Sequence, residues 1–509
     1  MKKFITIHGH FYQPPRENPW TGEVDAEESA KPFHDWNERI ARECYDANTQ
    51  AAILDAKGQT AVRVNNFAGM SYDIGPTLLS WLKRKDPAAY FKILEADRES
   101  VRVRGGHGNA IAQIYNHIIM PLANARDKRT QVVWGIRDFE YHFKRRPEGM
   151  WLSETAVDRQ TLNVLAEEGI LYTVLAPHQA RRVRHVGFGS RWAHTHHEGI
   201  NTRHPYRVLL DEGKQFHVFF YDGQISRDIA FGGILSSGDN FAQRLLNAFS
   251  NRDREQLVST ATDGESFGHH HKFGEMALAY AVKKIEESNQ SYVTNFGEFL
   301  DHFGSFWEVD VLDNSSWSCA HGVERWRSDC GCRLNFEPGW NQRWRTVLRE
   351  AFDFLKEIVD RVFEHELSPF LKDPWQARND YIEVMLDPSL VSRHRFLARN
   401  VQKNVTLAEE NKIWNLLEAQ KFSLFMYTSC GWFFDEISGI EPVQVMKFSA
   451  RAMELVQPYH EKEIEPFFLK ILEQAQSNLK GMGTGKDVFN KFVKIPRMSF
   501  PKVFIGNQT

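Results

Sequence analysis

The sequence predicts an α/β protein: a closed parallel barrel of seven strands followed by a mostly α-helical C-terminal region. Over roughly the first 300 residues, short β-rich runs alternate with longer helical stretches, the pattern of a parallel sheet with helical crossovers. Polar residues collect at the C-terminal ends of those runs, which suits a barrel better than an open sheet. Beyond about residue 340 the apolar spacing becomes the i, i+3, i+4, i+7 of amphipathic helices.

The seven candidate strands are FITIH (4–8), AVRVNNF (61–67), SVRVRGG (100–106), MWLSE (150–154), LYTVLAP (171–177), FHVFFYD (216–222) and LVSTATD (257–263). Between them, ERIARECYDANTQAAILDA (38–56) and WGIRDFEYHF (134–143) carry helical patterns. Further on, Trp344, Val347, Leu348, Ala351, Phe352, Leu355, Ile358, Val359 and Val362 mark one face of a helix, and similar patterns recur over 405–428, 441–456 and 462–479. GMGTGKD (481–487) has glycines too closely spaced for a phosphate loop and no strand before it, so it reads as a connection. The expected division is a catalytic barrel over 1–335 and a helical domain over 336–509 that packs on the barrel's active-site face.

Composition narrows the function. The chain has 63 basic and 66 acidic residues, a net charge of -3, which argues against a polyanionic partner such as nucleic acid. No stretch approaches the ~18 apolar residues of a membrane span. Lys2 and Lys3 precede only a short apolar run before His8, which fits a first strand better than a secretory signal. Five cysteines make poor arithmetic for a disulfide framework, and a reducing cytoplasm is the expected compartment. The 14 Trp, 14 Tyr and 37 Phe exceed what a chain of negative mean hydropathy needs for its core, so some rings should line a site.

Reacting groups of a parallel barrel sit after its strands. The first strand delivers His8 and His10, then Tyr12 and Gln13; the second Asn65 and Asn66; the third His107 and Asn109; the fourth Trp151 and Glu154. The sixth delivers Asp222, and the seventh Asp263 and Glu265, with Phe267 and His269 close behind. Glu154 and Asp263 each place a carboxylate beside small and aromatic residues at a strand end. Two carboxylates flanking a bond are the usual equipment for cleaving a glycosidic linkage, with aromatic rings as stacking faces for sugars. The plainer alternatives are a helix N-terminal carboxylate for Glu154 and a turn-forming Asp-Gly for Asp263.

These residues resemble glycoside hydrolase family 57. The resemblance rests on His8-Gly-His10 with Gln13-Pro14, on Trp151-Leu-Ser-Glu154, and on Asp263-Gly-Glu265-Ser-Phe267-Gly268, with Trp317-Ser-Cys319-Ala-His321-Gly322 as the matching aromatic motif. It implies a distorted (β/α)7 barrel, a helical C-terminal region and a retaining mechanism on α-glucans such as starch, glycogen or maltodextrin, by hydrolysis or by transfer. Glu154 is then similar to the family's nucleophile and Asp263 to its general acid/base. His8, His10, Gln13, Asn66, His107, Trp151, Asp222, Glu265, His269, Trp317 and His321 are expected to bind an oligo- or polysaccharide substrate, with no metal or cofactor. The segment SCGWFFDEISGIEPVQV (429–445) resembles an uncharacterised domain found in one branch of the family. Within it, Trp432 is expected to stack on a sugar and Asp435 to accept its hydroxyls, unless Trp432 only glues tail to barrel.

Two other functions stay open at this level. His8 and His10 point to one face, and His107, Asp263 and His269 could join them as zinc ligands, as in a metal-dependent α-mannosidase or sugar deacetylase. A non-catalytic carbohydrate-binding barrel is the other, although both carboxylates are present. Cys319, Cys330 and Cys332, with His321, form a second possible metal cluster, but their spacing is unlike paired Cys-x-x-Cys modules, and a cap of buried free thiols near the site is the reading preferred to it.

Overall fold

The computed structural model describes residues 3–187, 189–195, 199–251 and 255–494. The chain forms two compact units: Met1–Gln13, Ala26–Ile114 and Phe139–Trp317 make the first, and Pro14–Asp25, Tyr115–Asp138 and Ser318–Thr509 the second. The second unit therefore begins before the residue 335 suggested by the change of periodicity, and it draws in two segments from the first half of the chain.

Seven parallel strands carry the first unit: β1 (Lys3–Phe11), β2 (Ser71–Ile74), β3 (Ala112–Gln113), β4 (Met150–Trp151), β5 (Tyr172–Leu175), β6 (Gln215–Phe220) and β7 (Gln256–Asp263). β1 lies between β7 and β2, with His10 across from Asp263 on one side and Asp73 on the other. Parallel bridges Tyr72–Ala110 and Gly149–Tyr172 and the ladders β3–β4 and β5–β6 continue the series. Asp222 N–H donates to the Ser259 carbonyl at 2.7 Å and ties the end of β6 to β7. The result is a ring in sequence order, distorted because β6 also takes an antiparallel neighbour, Tyr206–Leu209. Strands buried on both faces read as apolar runs. All of β5 and the first seven residues of β7 are buried, in a core that includes Tyr172, Val174, Phe219, Leu257, Ala261 and Phe296.

Two expected strands are not barrel strands. Residues 100–103 close the helix Pro87–Val103, which Asp86 caps by accepting from Ala89 N–H and which buries Tyr90, Ile93, Leu94, Asp97 and Ser100 at helical spacing. Gly105 and Gly106, with φ of 62° and 106°, turn the chain away from it. Residues Thr60–Val64 pair antiparallel with Ala51–Leu54 in a hairpin whose second strand is mostly exposed. That hairpin also shortens the helix expected over 38–56, which ends at Thr49.

In the second unit, Trp344–Leu367 buries Trp344, Leu348, Ala351, Phe352, Leu355 and Val359 as its pattern predicts. Leu407–Phe425 starts on a capping box of Thr406 and Glu409. Ile440–Val456 matches the expected helix, while the one expected over 462–479 is only Glu465–Leu472. Helices Pro374–Asp380 and Leu390–Asn400 were not anticipated. Among the described residues, no helix is long and apolar enough to cross a membrane.

Candidate active site

The C-terminal ends of β1, β2, β4 and β7 bring the polar groups together. His8 and His10 alternate with Gly9 along β1 and so share a face. Both reach Asp73 on β2: His8 Nε2 is 3.1 Å from Asp73 Oδ1, and His10 Nδ1 is 2.8 Å from Oδ2. Ser71 Oγ lies 3.0 Å from His8 Nδ1. Burial lowers the pKa of His8 in spite of Asp73, so the neutral ring donates from Nε2 to Asp73 and accepts the Ser71 hydroxyl at Nδ1. Burial pulls His10 down as well, but the charge of Asp73, its hydrogen bond, Asp263 and Glu154 together raise it above the ordinary histidine value. His10 thus holds its proton more readily than an ordinary histidine, and both carboxylates singled out in the sequence favour that charge.

Trp151 on β4 is fully buried, with the His8 and His10 rings stacked against it at 4.9 and 5.1 Å between centroids. It supports the histidines and has no face open to a ligand, contrary to its expected role as a sugar platform. Just beyond it, Glu154 and Thr155 have φ of 57° and 50°. This left-handed region costs a non-glycine residue about 1–3 kcal/mol and persists only where neighbours over-determine it. Gln179, fully buried, does so by accepting from Thr155 Oγ1 at 2.9 Å and donating to the Thr155 carbonyl at 2.8 Å. Trp317 adds a backbone N–H to the Glu154 carbonyl at 3.0 Å and an indole N–H to Glu154 Oε2 at 2.9 Å. The half-buried Glu154 carboxylate is therefore oriented by a donor of its own.

Asp263 ends β7 as its one exposed residue, across from His10 on β1, with the inner part of its side chain against the protein. Burial among its neighbours raises its pKa, His10 opposes this and Asp73 adds to it. Next along, Glu265 is buried and accepts from Gln13 Nε2 at 2.6 Å. The edge of the half-buried Trp317 ring meets His10, Trp151 and Tyr221 at 6.3, 5.2 and 6.4 Å between centroids. Two carboxylates in unlike surroundings, one histidine whose pKa is raised and a tryptophan thus converge at one end of the strands.

The profile of Glycosyl hydrolase family 57 matches residues 4–308, a span that contains all of these groups except Trp317. The chain belongs to glycosyl hydrolase family 57. Residues 340–506 match a domain of unknown function, DUF3536. No curated protein matches the sequence. Among solved structures, an exo-type maltose-forming amylase from Pyrococcus sp. ST04 is similar with a TM-score of 0.68 at 16% identity, over 96% of this chain and 88% of that one. A 4-alpha-glucanotransferase from Thermococcus litoralis gives 0.52 at 14%, over 91% of this chain and 60% of that one. A family 57 branching enzyme from Thermococcus kodakaraensis gives 0.51 at 15%, over 97% and 96%. At these identities the likeness is one of fold: a (β/α)7 barrel with a mostly helical C-terminal region.

The other expected site residues of this family 57 chain are placed elsewhere. Asn66 donates to Asn48 Oδ1 at 2.8 Å and to the Glu275 carbonyl at 2.9 Å, a structural duty. His107 precedes β3 and lies 2.9 Å from Glu148, which precedes β4, so the pair is at the opposite end of the parallel strands from His10 and Asp263. Asp222 accepts from Gln224 and Ile225 N–H and caps the helix Gly223–Ala230. His269 Nδ1 is 2.5 Å from Glu43 Oε2. The histidines considered as zinc ligands are therefore dispersed: His8 and His10 turn on Asp73, His269 on Glu43, and His107 lies at the far end. In the second unit, Trp432 is fully buried in the short helix Cys430–Phe433, donating to the Arg345 carbonyl at 3.1 Å with its ring edge-on to Phe352, and so presents no stacking face. Asp435 is buried and accepts the backbone N–H groups of Leu334 and Asn335 at 2.8 and 2.6 Å. His321 faces a thiol, with Nδ1 3.6 Å from Cys332 Sγ. Asp73, Ser71 and Gln179 were missed. For Asp73 the available signal was SYDIGP, a short apolar run that carries one acid and stops at Gly-Pro.

Proposed function

We propose that the chain is a retaining glycoside hydrolase or glucanotransferase acting on α-glucans, with Glu154 as nucleophile and Asp263 as general acid/base. The observation that carries this reading is that Glu154 and Asp263 both act on His10 while their environments differ. A nucleophile must be ionised and aimed; the Trp317 N–H on Glu154 supplies the aim and favours the charge. An acid must keep its proton; the raised pKa of Asp263 moves it that way.

In the first step Glu154 attacks the anomeric carbon, the glycosidic C–O bond breaks, and Asp263 gives its proton to the departing oxygen. In the second, Asp263 takes a proton from water or from an acceptor sugar hydroxyl, whose oxygen displaces Glu154. His10, held by Asp73, is suited to hydrogen-bond a sugar hydroxyl near the two carboxylates. The α-glucan class is supported by the amylase, glucanotransferase and branching enzyme that share the fold. The test is incubation with maltooligosaccharides, amylose and soluble starch, with product lengths and anomers followed by chromatography and NMR. Products of retained α configuration are expected. Inverted products, or no turnover of any α-glucan, would overturn the reading.

A further inference from the structure

Among the described residues, one group of histidine, cysteine and acidic side chains gathers at metal-ligating distances, and it lies in the second unit. Cys319, His321, Cys330 and Cys332 place their ligand atoms within 4.8 Å of one another. We propose that these four residues form a structural zinc site with a Cys3His donor set, independent of the catalytic reading above.

The geometry carries the proposal. With bonds of about 2.3 Å to sulfur and about 2.0–2.1 Å to nitrogen, a tetrahedral zinc sets sulfur–sulfur edges of about 3.8 Å and sulfur–nitrogen edges of about 3.6 Å. Here Cys319 Sγ is 3.9 Å from Cys330 Sγ and 3.8 Å from Cys332 Sγ, and Cys332 Sγ is 3.6 Å from His321 Nδ1. All three cysteines are free, so none is committed to a disulfide. Gly331, with φ of 84°, lets the chain reverse between Cys330 and Cys332 so that both sulfurs turn to one point.

The surroundings give the site a task. Residues 312–343 contain little regular structure beyond the single turn Glu324–Trp326. A stretch this long needs a tie, and a metal that closes a long loop is an efficient one. Arg345 Nη1 fixes the loop further by donating to the Cys332 carbonyl at 2.8 Å. Four protein ligands leave no open position, which makes the site structural, and three soft thiolates favour zinc over hard cations such as magnesium or calcium. On binding, each thiol loses its proton to solvent.

The experiment uses the full chain, purified under reductant without a metal-affinity tag. Elemental analysis should give about one zinc per chain. Cys319→Ser, Cys330→Ser and Cys332→Ser should each lose it, and Cys430→Ser should retain it. Because those variants could fail to fold, wild-type protein stripped by a chelator is titrated with cobalt(II). An intense thiolate-to-cobalt charge-transfer band with tetrahedral d–d bands, saturating at one equivalent, is the expected result. Metal-free protein whose melting temperature ignores both chelator and added zinc would overturn the proposal. So would a cobalt spectrum without thiolate bands, or a disulfide among the three cysteines under reductant.

Discussion

Two sets of histidines in this chain meet opposite fates. His8 and His10 bond to one buried carboxylate, Asp73, and stack on Trp151. His321 instead gathers with three sulfurs within 4.8 Å, its Nδ1 3.6 Å from Cys332 Sγ. A histidine tied by a carboxylate in a hydrogen-bonded network is set up to hold or share a proton. A histidine that converges with thiols on one point is set up to ligate. Sequence spacing alone reverses the two, because His8-Gly-His10 has the alternation of a metal pair while Cys-x-His with Cys-x-Cys has no familiar module spacing.

The largest expected effects sharpen the first half of that contrast. Glu154→Gln and Asp263→Asn should each reduce kcat by about 10² to 10⁴ or more while circular dichroism and melting temperature stay close to wild type. Near-normal activity in either pure variant would remove its assignment. Asp73→Asn comes next, because it withdraws the charge that both histidines share. It should cost about 2–4 kcal/mol of stability and lower kcat as well, measured by denaturant titration beside kinetics. A variant as stable as wild type would show that the histidines do not depend on Asp73. Trp317→Phe keeps an aromatic side chain but deletes the indole N–H along with the second ring; a fall of about 10- to 100-fold in kcat with little change in melting temperature is expected. A change in KM alone would make Trp317 a sugar contact and not a support for Glu154.

The pH dependence gives the smallest effects. His10 holds its proton more tightly folded than unfolded, so its pairing with Asp73 contributes stability that is fully present below about pH 6.5 and is lost as the pH rises through the higher folded value. His8, whose pKa is lowered, acts oppositely at acid pH. For activity, the alkaline limb of kcat/KM belongs to Asp263. His10→Gln removes a charge that lowers the Asp263 pKa and should move that limb to higher pH. A limb that does not move, or moves down, would separate His10 from Asp263.

The legible parts of the fold were those whose burial leaves a mark in the sequence. β1, β4, β5, β6 and β7 lie in apolar runs bounded by turns, and the motifs around His8, Glu154 and Asp263 fall at their ends. β2 (SYDI) carries an acid and β3 (AQ) an amide, so neither stands out as an apolar run in the way of β4 and β5, which are just as short. The Val-Arg alternation at 101–104 and 62–64 imitates a strand wherever it sits, and only tertiary burial decides between helix end, hairpin and barrel. The Trp432 segment reads as a loop whose aromatics must be packed away, and a short helix turns Trp432 inward, leaving it no face for a sugar. Gln179 carries no motif at all and Asp73 only the faint one of SYDIGP; their importance lies in what they fix, the strained turn at Glu154 and the histidine pair.

The central claim is that Glu154 is the nucleophile and that Asp263 serves the second step. Asp263→Asn incubated with an α-glucosyl fluoride, whose leaving group needs no acid, should accumulate a glycosyl-enzyme, because release of the sugar still needs a base. Peptide mass spectrometry should place one hexose on the peptide that contains Glu154, and the double variant with Glu154→Gln should carry none. A hexose on another residue, or turnover of the fluoride with inversion and no adduct, would contradict the account.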